Sequence, residues 1–254
     1  MPELAFTWWG HASGVLELGD TRIALDPVFS RQLYHLRRRI ELPAELRTPQ
    51  ADLVLISHLH ADHLHLPSLR RFAPTTRLIV PRGAAPLFAS MPNPLTEVVP
   101  GELVHHGDLR IEVLPAHHDD RRLPGSKLRA PALGFRIADP VHSVWYPGDT
   151  GLFDGLADVA AVDLAIVPIG GWGPTLGEHH LDPSQAAEAI RRVGAEWAVP
   201  VHYGTLWPIG LEVARRTRQR LFVEPADRFT EEMRTVLPAV RLDVPAPGSR
   251  LHPS

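Results

Sequence analysis

Cysteine is absent from this chain. That excludes disulfides, iron–sulfur ligation and zinc–thiolate sites. An excess of one charge is also lacking: 26 Lys and Arg stand against 29 Asp and Glu, a formal net charge of -3. Bulk charge therefore points away from nucleic acid or an anionic membrane as a partner. No uninterrupted apolar run approaches the length needed to cross a bilayer, so no integral membrane segment is expected. Met1-Pro2-Glu3-Leu4 is not a basic stretch leading into an apolar one, so no signal peptide is expected, and the cytoplasm is the expected compartment.

What is present describes an ordinary globular protein, 44% hydrophobic and 22% charged over 254 residues. That length suffices for one large core, and no shift in composition marks a boundary; one domain over residues 1–254 is expected. Histidine is abundant, with 15 copies.

The apolar patterning places short strands at Leu4 to Trp8, Val15 to Leu18 and Arg22 to Leu25, punctuated by glycines and Asp26-Pro27. Residues 31 to 50 read as a long loop with a helical turn. Further strands are expected at Leu53 to Ile56, Arg77 to Val80, Thr96 to Val99, Leu103 to His105 and Leu109 to Leu114. The second half begins again with Ala132 to Ile137 and Ser143 to Tyr146, then Leu164 to Val167 and Trp197 to Val201. Asp182 followed by Pro183 predicts a capped helix over Pro183 to Val193. Helices are also expected at Leu211 to Arg220 and Asp227 to Leu237, and the tail as a strand at Val240 to Asp243 followed by a frayed end. Both halves run strands first, then strand–helix alternation. This predicts an α/β (α+β) fold in which two sheets form a sandwich with helices outside.

The stretch Ser57-His58-Leu59-His60-Ala61-Asp62-His63 leaves the end of the apolar strand Leu53 to Ile56. His58 and His60 can converge on one metal, and Asp62 and His63 on a second; imidazole and carboxylate suit zinc and similar divalent ions. Any single histidine here has an ordinary structural explanation. Four ligand-type residues at this spacing behind a strand do not. His118, Asp149 and His202 follow other predicted strands, and His180 lies in a glycine-rich loop. The expected arrangement is His58, His60 and His118 on one ion, Asp62, His63 and His202 on the other, and Asp149 bridging.

The order His-x-His-x-Asp-His, His, Gly-Asp-Thr-Gly, His resembles the metallo-β-lactamase superfamily. Thr7 to Ala12, Asp26 to Ser30, Ile56 to Leu64, Pro147 to Gly151, Ile166 to Gly170 and His180 to Pro183 are similar to one branch. That branch holds the N-acyl-phosphatidylethanolamine-hydrolysing phospholipases D and the ascorbate-6-phosphate lactonase-like proteins. The resemblance implies a four-layer αββα sandwich. It also implies a binuclear hydrolase that uses a dimetal-bound hydroxide on a small, anionic phosphodiester or lactone. The ions would be two Zn2+, with Mn2+ or Fe as alternatives. A nuclease-type phosphodiesterase and a non-catalytic metal-binding protein are the competing readings. Oligomeric state is left open.

Asp62 is expected both to bind metal and to accept a hydrogen bond from the nucleophile. His180 is the expected non-ligand catalytic group, a proton donor to the leaving group. Its loop holds Gly170, Gly171, Gly173 and Gly177 and suits a lid, with Trp172 as a pocket wall. Asp26 and His11 divide evenly between orienting ligands and purely structural roles. His117 is expected to turn away from the site and His179 to face solvent. His35, His65, His105, His106, His142 and His252 are expected at the surface. The run Arg37-Arg38-Arg39 is read as a solvated face, the alternative being an anion-attracting mouth. The segment Asp119 to Ala130 is polar and basic.

Overall fold

The computed structural model describes residues 3–123, 125–171 and 176–253. Trp172 and Gly173, expected in the lid, lie outside them. The first half contributes β1 (Leu4–Gly10), β2 (Ser13–Leu18), β3 (Thr21–Leu25), the short pair β4 (Gln32–Leu33) and β5 (Leu36–Arg38), then β6 (Leu53–Leu55), α1 (Leu66–Leu69), β7 (Arg77–Pro81) and β8 (Leu95–Val98). Next come β9 (Leu103–His106), β10 (Leu109–Pro115), β11 (Leu133–Ala138), β12 (Ser143–Tyr146), β13 (Val162–Pro168), α2 (Pro183–Val193) and β14 (Ala195–Val201). The chain closes with β15 (Leu206–Pro208), α3 (Arg215–Arg218), α4 (Pro225–Val236), β16 (Arg241–Leu242) and β17 (Arg250–Leu251).

Two seven-stranded sheets result, ordered β17-β1-β2-β3-β6-β7-β8 and β16-β14-β13-β12-β11-β10-β9. Each repeats one plan. In the first, β1, β2 and β3 pair antiparallel, and then β3, β6, β7 and β8 pair parallel. In the second, β9 to β12 pair antiparallel, and β12, β13, β14 and β16 pair parallel. The shared architecture of the two halves, read from the sequence, is thus present in the strand pairing.

Strand alternation builds the layers. Leu53 and Leu55 of β6 enter the central core with Phe6, Ile111, Phe135 and Val199, while Val54 and Ile56 face the outer cluster with Phe72 and Phe88. Likewise Leu164 and Ile166 of β13 face inward, and Ala165 and Val167 pack under α2 and α4 with Ile190 and Phe229. Both faces of these strands are covered, which explains why their sequences are nearly continuous apolar runs. The helical layer is uneven. Over the second sheet it is α2 and α4; over the first, among the described residues, it is α1 and short 3-10 turns such as Ala44–Arg47 and Ala85–Phe88.

Helix α2 spans the expected residues. Asp182 accepts from Gln185 N, Gln185 returns a bond to the Asp182 N–H, Pro183 opens the first turn, and Gly194 closes the helix at φ 75°. The helix expected at Leu211 to Arg220 is instead broken. A 3-10 turn at Leu211–Val213, α3, and a π turn at Gln219–Val223 replace it, and the following helix begins at Pro225, not Asp227. The loop expected at 31 to 50 holds β4 and β5, which join β15 in a three-stranded sheet. The tail is not frayed at 250–251, since Arg250 and Leu251 pair with Thr7 and Phe6.

Candidate metal centre

All the segments that bear site residues leave their strands at the carboxyl end: Asp26 after β3, Ser57 to His63 after β6, His118 after β10, Asp149 after β12, His202 after β14. Backbone bonds tie them together across the two sheets. Leu133 N donates to Ser57 O at 2.8 Å, and His202 N donates to His11 O at 2.9 Å. Gly148 has φ +62°, and a Cβ there would run into the Ser57 side chain and lie 2.9 Å from Leu133 O. Only glycine admits this close approach, and it sets Asp149 against the histidine loop.

The structure brings all seven expected ligand residues into one cluster. His58 Nε2 and His118 Nε2 each lie 3.0 Å from His60 Nδ1. His63 Nε2 and His202 Nε2 are 3.1 Å apart, and Asp149 Oδ2 is 3.2 Å from both. Asp62 Oδ2 lies 3.8 and 3.7 Å from the same two nitrogens. Among the described residues four overlapping groups of donor atoms are close enough to share an ion: His58 with His60 and His118; Asp62 with His63, His202 and His11; Asp26 with His58 and His63; and His118 with Asp149 and His180.

The far side of the ring explains the orientation of His58, His63, His118 and His202. His63 Nδ1 donates to Asp26 Oδ2 at 2.7 Å, His118 Nδ1 to His179 O at 2.8 Å, and His202 Nδ1 to Gly170 O at 2.9 Å. Ser57 Oγ donates to Asp26 Oδ2 at 2.5 Å and so accepts from His58 Nδ1 at 2.9 Å. With the Nδ1 proton committed outward, the Nε2 lone pair of each neutral ring points inward. With both rings neutral, His63 Nε2 and His202 Nε2 face one another as two acceptors 3.1 Å apart, a contact that only a proton or a cation between them relieves. Asp149 Oδ1 is buried with no hydrogen-bond partner. Converging acceptors and an orphaned carboxylate oxygen are what a cation needs and what two lone pairs alone cannot satisfy. The residues fit divalent metal ions, and the donor set, all N and O, suits zinc, manganese or iron.

Electrostatics agree. Burial alone would raise the carboxyls of Asp62 and Asp149, but His63 and His202 hold both well below the usual range. Burial would lower His63, yet Asp149, Asp62 and Asp26 outweigh it and raise it well above the ordinary value. The field that draws a proton to that nitrogen draws a divalent cation to the same place. Burial pushes His118 down to about 4, and pushes His58 well below its usual value with help from His63, His118 and His60.

Asp26 and His11 act on the cluster. Asp26 is fully buried and accepts from Ser57 N at 2.7 Å, from Ser57 Oγ and Tyr146 OH at 2.5 Å each, and from His63. His11 Nε2 lies 2.8 Å from Asp62 Oδ2. His180 Nδ1 donates to Leu176 O at 2.7 Å, which leaves Nε2 3.5 Å from Asp149 Oδ2. Burial lowers His180, but Asp149 more than offsets it and the net shift is upward.

Some expectations need correction. Arg38 is not on a solvated face; it is buried and donates to the carbonyls of Val28 at 2.6 Å, Ser30 at 3.1 Å and Trp9 at 3.3 Å. Arg37 and Arg39 are exposed, because strand alternation sends neighbours to opposite faces. His65 is half-buried against Ser68 Oγ at 2.7 Å, and His106 and His142 are half-buried too; none of the three is a plain surface residue. His117 and His179 are exposed as expected. Yet the His179 carbonyl orients His118, and no side-chain pattern could announce that role. The same is true of the carbonyls of Gly170 and Leu176. Ser57 and Tyr146 were likewise not anticipated; Ser57, beside His58 in the motif, carried the only local signal.

A family model described as a β-lactamase superfamily domain matches residues 21–203. N-acyl-phosphatidylethanolamine-hydrolyzing phospholipase D 1 of Caenorhabditis elegans is 28% identical over 253 residues, covering 89% of this chain and 69% of its own. A protein of Opitutus terrae described as a metal-dependent hydrolase is 26% identical, covering 95% of this chain and 100% of its own. Among solved structures, a metallo hydrolase of Ignicoccus hospitalis superposes with a TM-score of 0.72 at 22% identity, covering 99% of this chain and 98% of that one. The matched span contains every residue of the histidine–aspartate cluster except His11, and the chain belongs to the metallo-β-lactamase superfamily.

Proposed function

We propose that this chain is a metal-dependent hydrolase of small phosphodiesters. In this reading His58, His60 and His118 hold one divalent ion, Asp62, His63 and His202 hold a second, and Asp149 lies between them. The observation that carries it is the convergence of the histidine nitrogens on one another and on Asp149 Oδ2, beside a buried Asp149 Oδ1 that has no hydrogen-bond partner. The metal-dependent hydrolase from Opitutus terrae and the phospholipase D from Caenorhabditis elegans support the reaction class.

Bound there, divalent ions supply Lewis acidity and lower the pKa of water. The chain's own residues do the rest. Asp26, Ser57, Gly170 and the His179 carbonyl fix the tautomer and plane of His63, His58, His202 and His118, so these rings need little reorganisation during reaction. His11 holds Asp62 in place. Asp62, with its carboxyl held ionised, would accept a hydrogen bond from the attacking water and orient it. His180, drawn toward its protonated form by Asp149, delivers a proton to the leaving oxygen. Asp62 and His180 are the proposed catalytic pair.

The test is elemental analysis joined to a substrate screen. The expected result is two equivalents of zinc, manganese or iron per chain and slow cleavage of bis-p-nitrophenyl phosphate that chelation abolishes. A metal-loaded sample with at most one ion per chain would overturn the binuclear assignment. Ready cleavage of lactones without any phosphodiester turnover would move the substrate to the lactone class.

A further inference from the structure

A cavity of about 290 Å³ backs onto the metal centre, and nothing in the proposed chemistry uses it. Its walls come from Gly170 and Leu176 on one side, Asp182 and Gln185 at the start of α2 on another, and Arg220 and Arg228 on a third. The partition from the site is thin. Gly170 O and Leu176 O are the acceptors that orient His202 and His180. A Cβ added at Gly171 would lie 3.1 Å from Leu176 Cδ2, 3.8 Å from His180 Cδ2 and 3.9 Å from His202 Cε1.

The backbone that carries each of the two arginines is anchored by a packed neighbour, while their side chains are exposed. Arg220 lies in the π turn Gln219–Val223, which is pinned where Phe222 stacks on Trp207 at 4.8 Å. Arg228 lies on α4, anchored one residue on by the fully buried Phe229. Other arginines around α2 have carboxylate partners, as Arg191 and Arg192 do in Glu188. Arg220 and Arg228 have no ion pair among the described residues. The one acid on the cavity wall, Asp182, is engaged in capping α2 through Gln185 N at 2.9 Å. The cavity thus carries two guanidinium groups that have no ion pair among the described residues, beside an α2 N-terminus whose carboxylate, Asp182, is committed to its cap.

We propose that this cavity is an anion subsite that takes a phosphoryl group. Arginine forks match phosphate oxygens bidentately, and the volume is near the lower bound for ligand pockets, roughly 300 Å³. The phosphoryl group is either a second phosphate on the substrate, lodged one wall away from the scissile bond, or free inorganic phosphate. Occupancy does not depend on the hydrolase reading; only the link to substrate does.

Calorimetric titration of the full chain with inorganic phosphate at low salt tests it, with the metal-loaded protein and again after chelation. About one phosphate should bind and should persist after chelation. Charge-assisted hydrogen bonds are worth about 1.5–3 kcal/mol each, so Arg220→Gln or Arg228→Gln should weaken binding at least about tenfold. Arg191→Gln, on α2 and paired with Glu188, should not. Both target side chains are exposed, so their variants should keep the parent's melting temperature and metal content. Phosphate binding that vanishes on chelation, or that survives both substitutions, overturns the proposal. The source is read from kinetics. A rise in KM at constant kcat for a diester carrying a second phosphoryl group, absent with bis-p-nitrophenyl phosphate, assigns the site to substrate. Loss of phosphate binding with KM unchanged for both assigns it to free phosphate. A protein that binds phosphate through these arginines but hydrolyses nothing would remove the proposed function and leave the subsite standing.

Discussion

Replacing Asp26 by asparagine removes one charge and almost no volume, so it isolates what that carboxylate does. Asp26 Oδ2 receives Ser57 Oγ, Tyr146 OH and His63 Nδ1, and Oδ1 receives Ser57 N. Every neighbour is a donor. Asparagine must turn its NH2 group toward at least one of them. The cheaper rotamer keeps its oxygen toward the three side chains and strands the buried Ser57 N–H, which costs about 1–3 kcal/mol. The surviving bonds lose their charge assistance, and the total loss is about 2–5 kcal/mol, the range for breaking a buried ionic network.

For a chain of this length that corresponds to a drop in melting temperature of roughly 5–15 °C, read by circular dichroism on the chelated protein. A second effect is separable from the first. Without the carboxylate, His63 is a weaker base and a freer ring, and loss of such a partner typically lowers metal affinity about 10–100-fold. Competition against a chelator measures this on the folded variant at a temperature below its transition. An unchanged melting curve together with unchanged metal retention would refute the claim that Asp26 anchors His63, and would reduce it to a strand-end cap.

Asp62→Asn and Asp149→Asn should each abolish hydrolysis while leaving the chain folded, because both remove negative charge where cations are held; full turnover by either metal-loaded variant would overturn the roles assigned to these two carboxylates. His180→Ala should retain both ions, by elemental analysis, and lose about 10²–10⁴-fold in turnover, with a smaller loss for nitrophenolate leaving groups that need no proton. Loss of a metal from that variant would make His180 a ligand instead. Arg38→Met should keep the packed stem but leave the carbonyls of Val28, Ser30 and Trp9 short of a donor; a loss of about 2–4 kcal/mol is expected in chemical denaturation, and a change within about 0.5 kcal/mol would contradict the structural role of this arginine.

The elements legible in the sequence are those whose cause is local. Helix α2 was readable because Asp182 and Pro183 mark its start from adjacent positions; the return bond from Gln185 appears only in the structure. The central strands were readable because burial on both faces leaves runs such as Leu53 to Ile56. The segment after Gly210 was not, since Leu211 to Arg220 has a helical composition but Phe222 is drawn onto Trp207 and opens a π turn. Strand β5 was read as a loop because Arg37-Arg38-Arg39 is polar throughout. Its alternation shows only once Arg38 is seen reaching inward to bond three carbonyls. The side chains of the cluster were legible as donor types at strand ends. Their orientation was not, because it is set by backbone oxygens of Gly170, Leu176 and His179, and these carry no sequence signature.

Backbone strain marks the same place independently of side-chain chemistry. Among the described residues four non-glycine residues have positive φ, and three of them are His11 at 56°, Asp26 at 36° and His202 at 63°. The left-handed region costs an ordinary residue roughly 1–2 kcal/mol. Glycine would remove that cost at each position, but it would remove the imidazole or carboxylate as well. The strain persists because the surroundings fix these backbones. His11 N donates to Thr205 Oγ1 at 2.7 Å, its carbonyl accepts from Trp8 Nε1 and from His202 N, and Asp26 N donates to Leu55 O at 3.0 Å. Two of the three strained residues are thus bonded to each other through their backbones, across the seam between the sheets. The third holds His63, whose Nε2 lies 3.1 Å from that of His202. A fold that keeps three unfavourable backbones in register around one cluster of lone pairs is stabilised elsewhere by its core, and the cluster is where that stability is spent.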